Sequence, residues 1–245
     1  MGITFSWSHR RRLKPGEHLW CSAIIVAAGS ATRMGGIDKI MTNLGDRPVI
    51  VHSVQAFQQC PLVDEIIVVT REELMEDINQ LVQQWSCTKV SRIVRGGSNR
   101  MESVTIGLSR VDQKARLVAI HDGARPLVSQ KVLEQVLTTA AETAAAAPAI
   151  PVKDTIKRVD NRELILETVP REALRAVQTP QVFDRDLIAA ALQKAKEGGQ
   201  PLTDDCAAVE ALGMKVTLTP GSERNLKITT PVDLAIGEAL LCQQD

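Results

Sequence analysis

Apolar residues in this chain fall into short unbroken runs, and each run gives way to glycine or charged residues at its C-terminal end. Residues 23–28 form the first run, which reads as a strand buried on both faces, as in a parallel sheet. Residues 65–70 repeat the pattern with Ile66-Ile67-Val68-Val69, residues 92–94 give a weaker third strand, and residues 117–121 give a fourth. Between these runs, residues 49–60, 72–85 and 101–111 carry apolar positions at helical spacing, and Pro48 is placed to start the first helix. The alternation predicts an α/β fold. We expect a single Rossmann-like domain, its sheet mostly parallel, with helices on both faces and a ligand crevice at the carboxyl ends of the strands.

The second half has a different pattern. Residues 129–147, rich in Ala and Thr, read as one helix closed by Pro148. Residues 154–168 are polar, with Ile156, Val159, Leu164 and Ile165 arranged around Asp160-Asn161 as in a hairpin. That segment has too little apolar surface to fold alone, so it is expected to protrude as a β-arm that packs on a partner chain. Helical spacing returns at 184–197 and 204–212, followed by a short strand at 215–218 and a last helix at 231–241. Residues 1–21 contain His9-Arg10-Arg11-Arg12 with no apolar segment after it, and are expected to be a disordered N-terminal extension to a domain spanning 22–245. No run is apolar enough to span a membrane.

Composition narrows the function. A chain of 245 residues that is 44% hydrophobic can bury a sizeable core. With 29 basic and 29 acidic residues, it has no bulk charge to hold nucleic acid. There is no Tyr, and only three Phe and three Trp, so a bound base is expected to be read mainly by backbone and small polar groups. The cysteines Cys21, Cys60, Cys87, Cys206 and Cys242 are scattered without zinc or redox spacing, which fits reduced thiols in a cytoplasmic protein.

The chemistry lies in the loops at the strand ends. After the first strand come Ala27-Ala28-Gly29, then Arg33-Met34 and Lys39. Small residues let the backbone approach a ligand closely, successive N–H groups cradle anions, and the two cations suit a polyphosphate. The loop is neither Gly-x-x-x-x-Gly-Lys-Ser/Thr nor Gly-x-Gly-x-x-Gly. After the third strand, Gly96-Gly97-Ser98-Asn99-Arg100 opens a helix in which Ser103 is placed to meet a pyrimidine carbonyl. After the fourth comes His121-Asp122-Gly123-Ala124-Arg125-Pro126. Asp122 is placed for a metal or a ribose, or to pair with Arg125, which can grip a phosphate; His121 reads as structural. Lys153 to Lys157, Arg171, Thr179-Pro180-Gln181 and Arg224 to Lys227 offer further cations and hydroxyls. Thr203-Asp204-Asp205 reads as a helix N-cap with an acidic first turn.

In this order the pieces resemble the 2-C-methyl-D-erythritol 4-phosphate cytidylyltransferases of the non-mevalonate isoprenoid pathway. The matching stretches are Ala-Ala-Gly-x-x-x-Arg-Met (27–34), Lys39, Gly-Gly-x-x-Arg-x-x-Ser-Val (96–104), His-Asp-x-Ala-Arg-Pro (121–126), Pro-Val-Lys-Asp-Thr-Ile-Lys (151–157), Gln-Thr-Pro-Gln (178–181), Thr-Asp (203–204) and Asn-Leu-Lys-Ile-Thr (225–229). The resemblance implies transfer of CMP from CTP to methylerythritol phosphate, with pyrophosphate released and Mg²⁺ neutralising the triphosphate; the ion would be held mainly by the CTP phosphates, with Asp122 the candidate protein ligand. It implies that Arg33 and Lys39 stabilise the transition state and that Lys227 and Arg171 hold the substrate phosphate. Ala27, Ala28, Gly29, Gly97, Ser98, Ser103 and Asp122 would bind the nucleotide. Asp122, Arg125, Thr155, Thr179 and Thr203 would line the substrate side. It also implies a homodimer with exchanged arms, so that Thr155 and Arg171 serve the neighbouring site. Ser98, Met41, Gly123 and Asp205-Cys206 depart from the usual pattern, but no cation is lost. Ribitol 5-phosphate cytidylyltransferases share the fold and loop but tend to lack a lysine at the position of Lys157. A non-catalytic nucleotide-binding protein on this fold would be expected to lose Arg33, Lys39 or Lys227.

Overall fold

The computed structural model describes residues 18–29, 38–199 and 202–243. Its first half runs β1 (Cys21–Ala27), β2 (Asn43–Leu44), β3 (Arg47–Pro48), α1 (Val49–Gln59), β4 (Glu65–Thr70), α2 (Met75–Gln84), β5 (Val90–Arg95), α3 (Arg100–Leu108), β6 (Leu117–Asp122) and α4 (Gln130–Thr143). The second half adds β7 (Ala145–Pro151), β8 (Ile156–Val159), β9 (Ile165–Val169), β10 (Arg175–Val177), β11 (Gln181–Asp184), α5 (Arg185–Gly198), α6 (Asp205–Ala211), β12 (Thr217–Pro220) and α7 (Pro231–Leu241).

The four apolar runs form the parallel strands β5-β4-β1-β6, in that spatial order. The chain leaves β1 on one side and returns to it on the other. That reversal opens a crevice at the carboxyl ends of β1 and β6. Successive residues face opposite layers. Ala23 and Ile25 of β1, with Ile66 and Val68 of β4, share a core with α1, α2 and α4. Ile24, Ile67 and Val69 share the other core with α3, α5 and α6. Both faces of β1, β4 and β6 are therefore covered, which is why those three read as apolar runs, whereas β5 at the sheet edge is partly exposed.

Past β6 the sheet becomes mixed. β11 runs antiparallel to both β6 and β7, β10 runs antiparallel to β7, and β12 runs parallel to β7, giving eight strands in all. The single helix expected over 129–147 is corrected here. α4 stops at Thr143, Ala144 turns left-handed at φ 70°, and the alanine run continues as β7. Ala145, Ala146 and Ala147 have no exposed surface, and β7 is flanked by β11 and β12. Alanine's helix preference, under about 1 kcal/mol per residue, yields to that position in the sheet. Pro148 lies within the strand instead of ending a helix, and its carbonyl accepts the Gln178 N–H at 2.8 Å.

The hairpin is present as β8 and β9, a two-stranded sheet separate from the main one. The Asp160 carboxylate closes its turn by accepting the N–H groups of Arg162 and Leu164. Val159, Leu164, Ile165 and Leu166 stay exposed, between 41% and 64%. A third core of Leu44, Val49, Leu127 and Ile228 seats Leu234, Leu240 and Leu241 of α7, and so anchors the loop that carries Lys227.

Cys21, assigned to the N-terminal extension, is the first residue of β1; residues 1–17 lie outside the described residues. Among the described residues no helix is long and apolar enough to cross a membrane. All five cysteines are free thiols, buried except Cys242.

Candidate active site at the carboxyl ends of the strands

The Gly96 N–H donates to the Thr70 carbonyl at 2.7 Å, carrying the β4–β5 pairing one residue beyond the strand into the loop. A Cβ on Gly96 would stand 2.5 Å from the Cβ of Ala28 and 2.9 Å from Ser103 Oγ, and one on Gly97 would stand 2.3 Å from the Cβ of Glu102. Only glycine permits so close an approach to the end of β1. Asn99 caps α3 by accepting the Glu102 N–H at 2.9 Å, and Glu102 Oε2 accepts both the N–H and the hydroxyl of Ser98, at 2.8 and 2.7 Å. Ser103 is buried. Its Oγ accepts the Gly97 N–H at 3.1 Å and donates to the Asn99 carbonyl at 2.9 Å, so its proton is already committed and it supports the loop from beneath. Above lies a groove of about 520 Å³ whose walls include Ala28, Thr70, Arg71, Arg95, Gly97 and Ser98. Ala27, one residue before Ala28, is buried, and Gly29 is exposed.

β6 ends on Asp122, which is only 8% exposed. Lys227 Nζ lies 2.7 Å from Oδ2, Arg125 Nε lies 3.7 Å from the same oxygen, and Arg100 Nη2 lies 3.5 Å from Oδ1. Burial opposes the charge on Asp122, yet Lys227, Arg100 and Arg125 together outweigh it and hold the carboxyl at about 2. Arg100 also donates to Asp205 at 2.6 Å, a buried carboxylate at the start of α6 whose pKa burial pushes up. Asp205 and Asp204 offset Arg100, whereas Lys227 and Arg125 face Asp122 alone, which leaves a local positive surplus that favours anions. Arg125 Nε is buried with no hydrogen-bond partner among the described residues, its ion pair with Asp122 at 3.7 Å being too long for one.

The supports of this cluster come from two loops. Arg125 Nη1 donates to the Asn225 carbonyl at 2.7 Å, the Ile228 N–H donates to the Ala124 carbonyl at 2.8 Å, and Asn225 Nδ2 donates to the Thr179 carbonyl at 2.9 Å. Thr179 Oγ1 accepts the Asp122 N–H at 3.1 Å and faces His121 Nδ1 at 3.1 Å. The Arg125 carbonyl can only accept, so His121 Nε2, 3.1 Å away, carries the ring proton. The Thr179 hydroxyl therefore donates to Nδ1. Burial pushes His121 down to about 4, so the ring is neutral and structural, as the sequence suggested.

Ala28, Gly97 and Ser98 thus share one groove, while Asp122, Arg125, Thr179 and Lys227 share one cluster. Arg100, which the sequence does not single out as a site residue although it belongs to the motif at 96–104, joins the cluster through Asp205, 105 positions away. Asp204, not Thr203, caps α6, accepting the Ala207 N–H at 2.9 Å, and Thr203 is exposed without joining the cluster. Thr155 is exposed before β8. Arg171, just after β9, donates to the Lys153 carbonyl at 2.6 Å. Neither touches the Asp122 cluster of its own chain. Lys39 sits in the turn after Asp38, and Arg33 lies outside the described residues. Among the described residues no group of three or more His, Cys, Asp or Glu side chains can hold a metal. A divalent ion would meet Asp122 as its one carboxylate and draw its other ligands from phosphate oxygens. That donor set fits Mg²⁺.

The family described as IspD, 2-C-methyl-D-erythritol 4-phosphate cytidylyltransferase, matches this chain over residues 21–243. The enzyme of that name from Halalkalibacterium halodurans is 44% identical over 225 residues, covering 91% of this chain and 98% of the relative. The one from Caldanaerobacter subterraneus is 44% identical over 222 residues, covering 90% and 98%. Among solved structures, the 4-diphosphocytidyl-2C-methyl-D-erythritol synthase of Anaerococcus prevotii superposes with a TM-score of 0.83 at 30% identity, covering 92% of this chain and 97% of its own. The Thermus thermophilus 2-C-methyl-D-erythritol 4-phosphate cytidylyltransferase does so with a TM-score of 0.75 at 33% identity, covering 91% and 98%. The chain belongs to the 2-C-methyl-D-erythritol 4-phosphate cytidylyltransferase family.

Proposed function

We propose that the chain transfers the cytidylyl group of CTP to the phosphate of 2-C-methyl-D-erythritol 4-phosphate, a step of isoprenoid precursor biosynthesis carried out in the cytoplasm. An acceptor phosphate oxygen bonds to the α-phosphorus, the bond from that phosphorus to the bridging oxygen breaks, and pyrophosphate leaves with the electron pair. The observation that carries this reading is the surplus of cations around Asp122, beside a groove floored by Gly96 and Gly97. Such a transfer depends on positioning and charge neutralisation more than on a proton shuttle. The enclosed, neutral His121 is consistent with that.

In this reading Arg33 and Lys39 meet the charge that grows at the α-phosphate. Lys227 and Arg171 grip the acceptor phosphate, with Asp122, Arg125, Thr155 and Thr203 along the substrate side. Thr179 acts through the Asp122 backbone that it holds. Ala27, Ala28, Gly29, Gly97 and Ser98 border the nucleotide, and Ser103 contributes by fixing Gly97. Asp122 would be the carboxylate that holds Mg²⁺, which would supply neutralisation of the triphosphate charge. The exposed apolar residues of the β8–β9 hairpin support a homodimer with exchanged arms, in which Thr155 and Arg171 complete the neighbouring site.

The test is pyrophosphate release from CTP, UTP, ATP and GTP, each with methylerythritol phosphate or ribitol 5-phosphate. Release is expected from CTP with methylerythritol phosphate, lost in EDTA and restored by Mg²⁺. Preference for ribitol 5-phosphate would overturn the acceptor, and full activity in EDTA would overturn the metal. Silence with every pair would favour a non-catalytic nucleotide-binding protein.

A further inference from the structure

Arg71, the first residue after β4, distributes its guanidinium among three partners. Nε donates to Glu73 at 2.7 Å, Nη1 donates to the Gly29 carbonyl at 2.8 Å, and Nη2 pairs with the Asp38 carboxylate. Gly29 follows β1, and Asp38 immediately precedes Lys39, so one side chain ties together the two points between which residues 30–37 run in sequence. Asp38 in turn organises the residues on its C-terminal side. Its Oδ1 accepts the Ile40 N–H at 3.2 Å, and its carbonyl accepts the N–H groups of Met41 and Thr42 at 3.1 and 2.9 Å. The Ile40 carbonyl accepts the Ile50 N–H at 2.9 Å, which fastens this turn to α1. Arg71 also lines the groove beside Ala28 and Gly97.

The geometry points to Arg71 as a positioning residue for the transfer: by holding Asp38 to the end of β1, it sets the Lys39 turn against the nucleotide groove. The inference rests on the role proposed for Lys39. A planar fork can hold a carbonyl and a carboxylate at fixed angles at the same time, which a single ammonium cannot do. The pair is partly buried, with about a fifth of each side chain exposed, so thermal unfolding must be read beside turnover to separate lost positioning from lost stability.

The test compares Arg71→Ala, Arg71→Lys, Asp38→Asn and the Arg71→Ala/Asp38→Asn double variant in the full chain. Asn at position 38 keeps an oxygen for the Ile40 N–H and loses only the charge that faces Arg71. The readouts are kcat and KM for CTP, thermal unfolding, and hydrogen exchange at the amides of Ile40, Met41 and Thr42. Arg71→Ala is expected to lower kcat by up to about a hundredfold, the scale of a misplaced catalytic group. Arg71→Lys should not restore it, Asp38→Asn should reproduce the loss, and the double variant should be no worse than either single one. Exchange at the three amides should quicken while the unfolding temperature holds. Should Arg71→Ala raise only KM for CTP and Asp38→Asn leave activity intact, Arg71 is a nucleotide contact and the inference fails. Unchanged exchange in Arg71→Ala also overturns it. A wild-type chain that releases no pyrophosphate defeats the proposed function, while exchange still decides whether the tie exists.

Discussion

At Asp122 the desolvation of a nearly enclosed carboxylate is opposed by three cations, the nearest 2.7 Å away, and the cations prevail. One residue earlier, at His121, burial prevails over the Arg125 carbonyl and the Asp122 charge that favour a protonated ring. Enclosed against Phe57 and held by Thr179 and the Arg125 carbonyl, its ring refuses a proton down to about pH 4. In the unfolded chain the same ring takes a proton near pH 6.5, so between these values the unfolded state binds more protons. Stability must then fall as pH drops through that window, by about 3 kcal/mol in full. His52, lowered by burial, acts in the same sense. Asp122 enters only later: its depressed pKa stabilises the fold above its ordinary value of 3.8, and that contribution is lost as pH falls toward about 2. Urea unfolding between about pH 7 and about pH 5 isolates the histidines before most carboxylates titrate. The unfolding free energy should decline across that range. A constant value would mean that water reaches His121 in the native state.

At the scale of elements, the close approach of the β5–α3 loop to the end of β1 depends on an absent side chain. Gly96→Ala would place a methyl 2.5 Å from the Cβ of Ala28, and since Ala28 belongs to the β1 end, the loop must give way. Overpacking of this kind costs about 1–3 kcal/mol. Here it would fall on the groove, so KM for CTP should rise about tenfold or more while far-ultraviolet circular dichroism stays that of the wild type. Gly198→Ala in α5, with open space around the new methyl, serves as the control. Wild-type affinity in Gly96→Ala would show that the nucleotide does not use this groove. The same dependence on neighbours decides which elements can be read from sequence. β1, β4 and β6 are legible because burial on both faces leaves no polar interruption. The Asp160-Asn161 turn made the β8–β9 hairpin legible as well. β7 is not, because alanine fits a helix as readily as the interior of a sheet, and only the flanking strands β11 and β12 select the latter. β11 is four residues of mixed polarity whose strand character comes from pairing with β6 and β7.

Across the whole molecule, glycine-rich and cationic loops converge because a parallel sheet brings every strand's carboxyl end to one edge, whatever the distance along the chain. That is why the groove around Ala28 and Gly97 and the cluster of Asp122, Arg125 and Lys227 could be anticipated. Arg100 and Arg71 could not, because their meaning rests on Asp205 and Asp38, which only the folded chain places beside them. Thr155 and Arg171 remain apart from the cluster of their own chain, and the apolar residues beside them on the hairpin stay uncovered. An isolated two-stranded hairpin is marginal in water, and a two-fold dimer with exchanged arms would bury that surface and complete both sites. The proposal is tested by mixing Arg171→Ala chains with Lys39→Ala chains, each inactive alone, under conditions that let subunits exchange. In an exchanged heterodimer one site collects both defects and the other collects neither. Random pairing makes half the dimers heterodimers, each with one intact site, so activity should return to about one quarter of wild type. If heterodimers form and no activity returns, Arg171 serves its own chain and the arms are not exchanged.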